Sequence, residues 1–153
     1  MKENYQDILA LLPYGPNFCF VDELLELNEE GVIGQYRFAE DAPFYADHFP
    51  EDPITPGVLL LECMAQIGLV CLGIYLLKEE LQEVPKIAFS SSKVNFYQLH
   101  RPGELLRVEA KKKLFRLQQL RVTASAYNEA GDLVAKAELA GMWTKKNSHD
   151  AGK

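Results

Sequence analysis

Residues 57–78 read GVLLLECMAQIGLVCLGIYLLK, and this run decides the fold. Glu62 and Gln66 are its only strongly polar residues before the closing Lys78. The length is close to the ~20 residues that span a bilayer. Two facts set a membrane span aside. A carboxylate inside a lone span costs on the order of a few kcal/mol. The flanks HFPEDPITP and KEELQE also lack a basic anchor that would set an orientation. A helix apolar on all sides is instead read as one buried in a soluble core.

Downstream of this helix the chain reads as β-structure. Residues 87–97, 105–115, 120–127 and 133–143 are strand-like, separated by Arg101-Pro102-Gly103 and by Asn128-Glu129-Ala130-Gly131-Asp132. Alternation is clearest in Leu106, Val108, Ala110 and in Val122, Ala124, Ala126, as for a sheet with one wet face. Upstream, residues 18–38 predict a hairpin turning at Asn28-Glu29-Glu30-Gly31, and residues 4–12 a short helix stopped by Pro13, Gly15 and Pro16. Residues 40–56 hold Pro43, Pro50, Pro53 and Pro56 and predict a structured loop. The expected fold class is α+β, an antiparallel sheet wrapped around one long central helix. One small sheet cannot cover such a helix on every side, so a second copy of the chain is the expected cover, at least a homodimer. The expected domain is residues 1–144, with 145–153 a polar tail.

The chain has 153 residues, 48% hydrophobic and 25% charged, with a formal net charge of -6. This balance suits one globular domain and excludes disorder as its main description. The negative charge argues against nucleic acid or anionic lipid as partner. The first ten residues, MKENYQDILA, lack an apolar signal core. Cys19, Cys63 and Cys71 show no metal-site spacing and read as reduced, buried thiols, so a cytoplasmic location is expected.

Three features between residues 48 and 62 point to chemistry. Thr55-Pro56-Gly57 reads as an N-cap, a proline at the first helical position and a glycine in the first turn. The N–H groups there have no helical acceptor and sit at the positive end of the helix dipole. They can therefore stabilise a developing oxyanion, although the trio is also an ordinary cap. Glu62 stands in an apolar stretch with Gln66 four residues on, on the same helix face. Burial should raise its carboxyl pKa and favour a proton-donating acid. The plainer alternative is a structural carboxyl satisfied by Gln66. His48 lies among Phe44, Tyr45, Phe49 and Pro50, which would keep its imidazole neutral and basic. His100 and His149 read as side chains without a chemical role. An acid, a base and an oxyanion donor suffice to remove a proton beside a carbonyl and expel a β-hydroxyl as water. Neither a nucleophile–base pair, a phosphate loop nor a metal cluster is evident, and no metal or redox cofactor is expected.

The segment His48-Phe49-Pro50-Glu51-Asp52-Pro53-Ile54-Thr55-Pro56-Gly57-Val58-Leu59, running into Leu61-Glu62-Cys63-Met64-Ala65-Gln66, resembles the gap-free signature HFPxxPxxPGVxxxExMAQ. That signature belongs to the FabZ-type β-hydroxyacyl-acyl-carrier-protein dehydratases. Leu12-Pro13, Phe18, Val21-Asp22 and Leu25 resemble the family's opening. Lys93-Val94-Asn95-Phe96 and Arg101-Pro102-Gly103-Glu104-Leu105 resemble its later strand and turn. The resemblance implies a hotdog fold working as a dimer or a trimer of dimers. It implies that His48 acts with Glu62 of the other protomer, and that the Gly57 N–H binds a thioester carbonyl. Phe49, Val58, Gln66 and Phe96 are the expected substrate-binding residues, beside an apolar tunnel for an acyl chain carried on phosphopantetheine. Tyr14 and Gly15 depart from the family's His-Arg, Asp47 from its glycine, and Asn95 and Tyr97 from residues often basic; none of these touches the trio.

Residues 93–121 contain eight of the sixteen Lys and Arg but only two of the twenty-two Asp and Glu. An acidic acyl carrier protein would be drawn to this segment, and Lys93, Arg101 and Arg116 are the expected docking residues. The expected reaction is dehydration of a 3-hydroxyacyl carrier thioester to the trans-2-enoyl thioester, in fatty-acid or related polyene or lipid biosynthesis; a specialised polyene or pigment pathway is compatible with the departures from the family pattern. The alternatives are a hotdog acyl-thioesterase and a catalytically silent partner in a heterodimeric dehydratase.

Overall fold

The computed structural model describes residues 5–78 and 86–143. The expected tail, with His149, lies outside them. The first element is α1 (Gln6–Leu9), which seats Ile8 in the core. It is shorter than the expected helix because its bonds tighten to i−3 turns, Leu11 N–H to Ile8 O and Leu12 N–H to Leu9 O. The expected hairpin comes next as β1 (Glu23–Asn28) and β2 (Gly31–Arg37). Its turn is closed by Asn28 Oδ1, which accepts from Glu30 N–H at 2.8 Å and Gly31 N–H at 3.2 Å.

The central helix, α2 (Gly57–Leu77), is continuous but not uniform. Gln66–Cys71 winds as a π-helix between α-helical Gly57–Ala65 and Leu72–Leu77, an irregularity that the plain apolar run does not announce. Gly68 falls in this segment. A Cβ there would lie 3.2 Å from Ala110 Cβ, so glycine sets how closely the helix approaches the sheet. The helix is long and apolar enough to cross a bilayer, yet 72% of its most apolar window is buried against the rest of this chain.

Four strands complete the fold: β3 (Ala88–Phe96), β4 (Leu105–Arg116), β5 (Gln119–Tyr127) and β6 (Leu133–Met142). Each matches its sequence expectation to within a residue. One antiparallel six-stranded sheet runs in the order β1-β2-β4-β5-β6-β3. Along β5, Leu120, Val122, Ala124 and Ala126 turn inward onto the helix while Arg121, Thr123 and Ser125 face out. Ile67, Leu69, Leu72 and Ile74 of the helix are fully buried with Leu106, Leu120 and Leu139 of the sheet. This is a sheet curled around one helix, the hotdog arrangement. Edge strand β3 is exposed along almost its whole length and pairs only with β6.

Candidate active site

His48 sits in the proline-rich loop, two residues after the short 3-10 turn Pro43–Ala46. The loop satisfies itself around the histidine. His48 N–H donates to Phe44 O at 3.0 Å, and its carbonyl accepts from Ile54 N–H at 3.0 Å. His48 Nδ1 lies 3.1 Å from Ile54 O. A carbonyl can only accept, so Nδ1 bears the hydrogen and the neutral ring keeps its lone pair on Nε2. The ring of Phe49 stacks on the imidazole at a centroid distance of 4.2 Å.

The start of α2 departs from the sequence expectation. Pro56, not Thr55, is the N-cap, and no side chain caps the helix. Leu59 and Leu60 N–H donate to Pro56 O at 2.9 and 3.2 Å. Gly57 and Val58 precede the first residue that can bond back within the helix, so their N–H groups have no helical acceptor. The edge of the Phe96 ring would be 3.1 Å from a Cβ at Gly57, which places the ring directly over this bare helix end. Val58 is 71% exposed beside it, and Phe49 and Phe96 are about half exposed.

Thr55 is buried and turned away from the helix. Its Oγ1 is 2.6 Å from Tyr45 Oη and 2.8 Å from His100 Nδ1, and its N–H donates to His100 O at 2.7 Å. The second nitrogen of His100 donates to Leu105 O at 3.2 Å, and the ring meets Phe38 edge to face at 5.3 Å. Burial lowers the His100 pKa from its ordinary value, only partly offset by the Leu105 carbonyl and by Glu104 and Glu129. His100 is thus a buried residue with both ring nitrogens hydrogen-bonded.

Glu62 lies further along the same helix and is half-buried in this single chain. Gln66 Nε2 donates to its Oε2 at 3.0 Å. The same amide donates to Phe18 O at 2.9 Å, and Gln66 Oε1 accepts from Phe20 N–H at 2.7 Å. Gln66 is completely buried, and its side-chain amide and carbonyl are taken up by Glu62 and by the main chain at Phe18 and Phe20. Burial raises the Glu62 pKa and the Gln66 hydrogen bond opposes that rise. Tyr14 is close enough to feel the Glu62 charge. Its phenol is pushed up first by burial and then by that carboxyl, and its ring meets Phe18 at 6.3 Å. Among the described residues no hydrogen bond or ion pair joins His48 to Glu62.

The basic residues separate. Arg101 Nη1 pairs with Asp52 Oδ1 at 2.8 Å on the surface, next to the His48 loop. Arg116 sits at the end of β4, opposite Gln119. Lys93, opposite Glu138, instead shares a shallow groove of about 270 Å³ with Lys113 and Arg121. Strand pairing assembles that cluster, and no local spacing reports it. Tyr45 and His100 were missed for the same reason, since their meeting point, Thr55, is 10 residues from one and 45 from the other. Among the described residues no three His, Cys, Asp or Glu converge as a metal site.

Comparison with known proteins agrees with this architecture. Residues 12–138 match the model of the FabA-like domain. The chain is 35% identical over 145 residues to a 3-hydroxyacyl-(acyl-carrier-protein) dehydratase FabZ of Chlamydia muridarum, covering 94% of each. It is 36% identical over 132 residues to the enzyme of that name from Syntrophobacter fumaroxidans, covering 86% of this chain and 88% of the relative. Among solved structures, a chain of the dehydratase heterocomplex ApeI:P of Xenorhabdus doucetiae superposes with a TM-score of 0.78 at 15% identity, covering 94% of this chain and 95% of that one. A hypothetical thioesterase of Streptococcus pneumoniae reaches 0.61 at 13% identity, covering 82% and 88%. These two likenesses speak for the fold alone. The matched span takes in the His48 loop, all of α2 and all six strands, the last of them through Glu138, and on that extent of agreement the chain belongs to the FabA-like domain family.

Proposed function

We propose that this protein dehydrates 3-hydroxyacyl thioesters carried on acyl carrier protein to the trans-2-enoyl thioesters. The observation that carries the reading is the tether of His48 Nδ1 to Ile54 O, which leaves Nε2 as a base in the loop that leads into the uncapped start of α2. Nε2 takes the C2 proton of the substrate. The electron pair moves toward the thioester oxygen, which the Gly57 N–H stabilises. Protonated Glu62 then gives its proton to the 3-hydroxyl, the C3–O bond breaks and water leaves. Phe49, Val58 and Phe96 supply the apolar surface for the acyl chain. The chemistry requires only these side chains, with the phosphopantetheine arm as part of the substrate.

Glu62 comes from a second copy of the chain in this reading. Two features support it. The long exposed edge of β3 offers unpaired backbone groups to a matching strand. Phe96 in that strand, and Val58 at the helix start against which Phe96 lies, present apolar surface there. Docking of the acidic carrier is assigned to Lys93, with Arg101 and Arg116, and the structure adds Lys113 and Arg121 to the Lys93 cluster. The fully buried thiols of Cys63 and Cys71 suit a reducing cytoplasm.

The product decides between the readings. His48→Ala and Glu62→Gln should each reduce hydration of a crotonyl thioester by about 10²–10⁴-fold, with the circular dichroism spectrum retained. Full activity in either variant overturns the assignment. Release of free thiol without enoyl absorbance would favour a thioesterase.

A further inference from the structure

Tyr45, Thr55 and His100 form a buried polar chain to which the dehydration steps assign nothing. Tyr45 and Thr55 are each 4% exposed and His100 1%. Thr55 occupies one of the unspecified positions of the HFPxxPxxPGV signature, so the motif does not demand a hydroxyl there.

The direction of each bond can be worked out. His100 Nε2 faces the Leu105 carbonyl and must donate. In the neutral ring that leaves Nδ1 as an acceptor, so the Thr55 hydroxyl donates to it. The Thr55 oxygen is then free to accept, and Tyr45 O–H donates to it. The chain runs Tyr45 to Thr55 to His100 to Leu105 with each polar group used once. Among the described residues no buried side-chain nitrogen or oxygen lacks a partner.

The chain touches both limbs of the loop that holds the base. Tyr45 belongs to the turn Pro43–Ala46 that enters it, and Phe44 in that turn accepts the His48 N–H. Thr55 directly follows Ile54, whose carbonyl and N–H both bond His48, and directly precedes Pro56, the N-cap of α2. His100 belongs to the segment between β3 and β4, and Thr55 meets it through side chain and main chain alike.

We propose that Tyr45, Thr55 and His100 are positioning residues that lock the two limbs of the 44–57 loop to the β3–β4 connection and so fix His48 Nε2 relative to the Gly57 N–H. The proposal rests on the dehydratase reading for its activity measurement but not for its spectroscopic one.

Thr55→Val keeps the side-chain shape and removes both hydroxyl bonds, and Thr55→Ser keeps the bonds. A misplacement of reacting groups by about 1 Å is worth about 100-fold. Thr55→Val should therefore lower kcat for crotonyl-thioester hydration by about that factor while KM stays nearly constant, and Thr55→Ser should restore most of the rate. Nitrogen-15 NMR of the His48 imidazole should show a fixed Nδ1–H tautomer in the unaltered protein and in Thr55→Ser, and tautomer averaging in Thr55→Val. Should Thr55→Val not fold, Tyr45→Phe removes a single bond and is read in the same two ways. Valine and serine variants impaired to the same degree, or a valine variant with unchanged rate and unchanged His48 signals, would overturn the proposal. An unaltered protein inactive on 3-hydroxyacyl and enoyl thioesters, yet showing the NMR change, would remove the dehydratase reading and leave the positioning role standing.

Discussion

Glu62 and His48 differ in how far along the chain their supports lie. The carboxyl is held by Gln66, four residues later on one helix, and Gln66 is in turn clamped by the main chain at Phe18 and Phe20. The imidazole is held by Ile54, six residues away in an irregular loop. That loop keeps its shape through Thr55 and His100, 45 residues apart. A helix supplies its own backbone hydrogen bonds, so it needs one side chain to aim another. A loop has no such ladder, and buried polar side chains must complete it. The acid end is accordingly built from apolar packing with one amide, and the base end from a relay of three polar side chains.

Cutting the clamp at the acid end should have the largest effect on stability. Gln66→Leu leaves the buried Phe20 N–H without its partner, at about 1–3 kcal/mol, and also removes the donor to the part-buried Phe18 O. Urea unfolding should show a loss of about 1–3 kcal/mol; an unchanged midpoint would mean that water replaces the amide. The same variant has a kinetic signature. Gln66 holds the Glu62 pKa below what burial alone would give, so its loss raises that pKa. In the proposed mechanism Glu62 acts protonated, so the alkaline limb of kcat/KM should move to higher pH.

The base end can be separated from the acid end by pH. His100 has a lowered pKa in the folded chain, so the unfolded chain takes up its proton first as the pH falls. Stability from this group is complete above about 6.5 and declines below it, with a limiting slope on the order of 1 kcal/mol per pH unit. The groups facing it are Tyr45 and Thr55 on one side and Glu104, Glu129 and the Leu105 carbonyl on the other. Unfolding midpoints taken at pH 7.5 and 5.0 should converge more closely in His100→Gln than in the unaltered protein. Equal slopes in the two proteins would show that the buried imidazole is not what titrates.

The smallest effect is expected away from both ends, in the groove of Lys93, Lys113 and Arg121. Charge reversal at these positions should raise KM for carrier-bound substrate by roughly three- to tenfold through slower encounter. KM for a pantetheine thioester should not move. A matching rise for both substrates would place the residues in the acyl site instead, and an effect only at Arg101 or Arg116 would relocate the docking surface.

Much of the fold was legible because its signals are short-range. Leu106, Val108 and Ala110 alternate with polar neighbours, and the strand follows from that period alone. The apolar run from Gly57 names the buried helix, although its π-helical turn was hidden because Gln66–Cys71 is as apolar as the α-helical turns around it. Glu62 and Gln66 were legible as a pair because one helical turn separates them. Thr55 misled because threonine before proline and glycine is a good cap by local preference, and the buried Tyr45–His100 pair drew it away.

The helix, the strands and the order of elements were readable from the sequence, and so were the residues proposed as acid, base and oxyanion donor. Each of those depends on side-chain periodicity or residue chemistry within one element. Folding of the whole chain was needed to show that Thr55 serves the loop instead of the helix, that Gln66 joins Glu62 to the main chain at Phe18 and Phe20, and that Lys93 gathers with Lys113 and Arg121. These facts depend on which strand lies beside which, and that is settled when the sheet closes around the helix and distant residues come within hydrogen-bonding range.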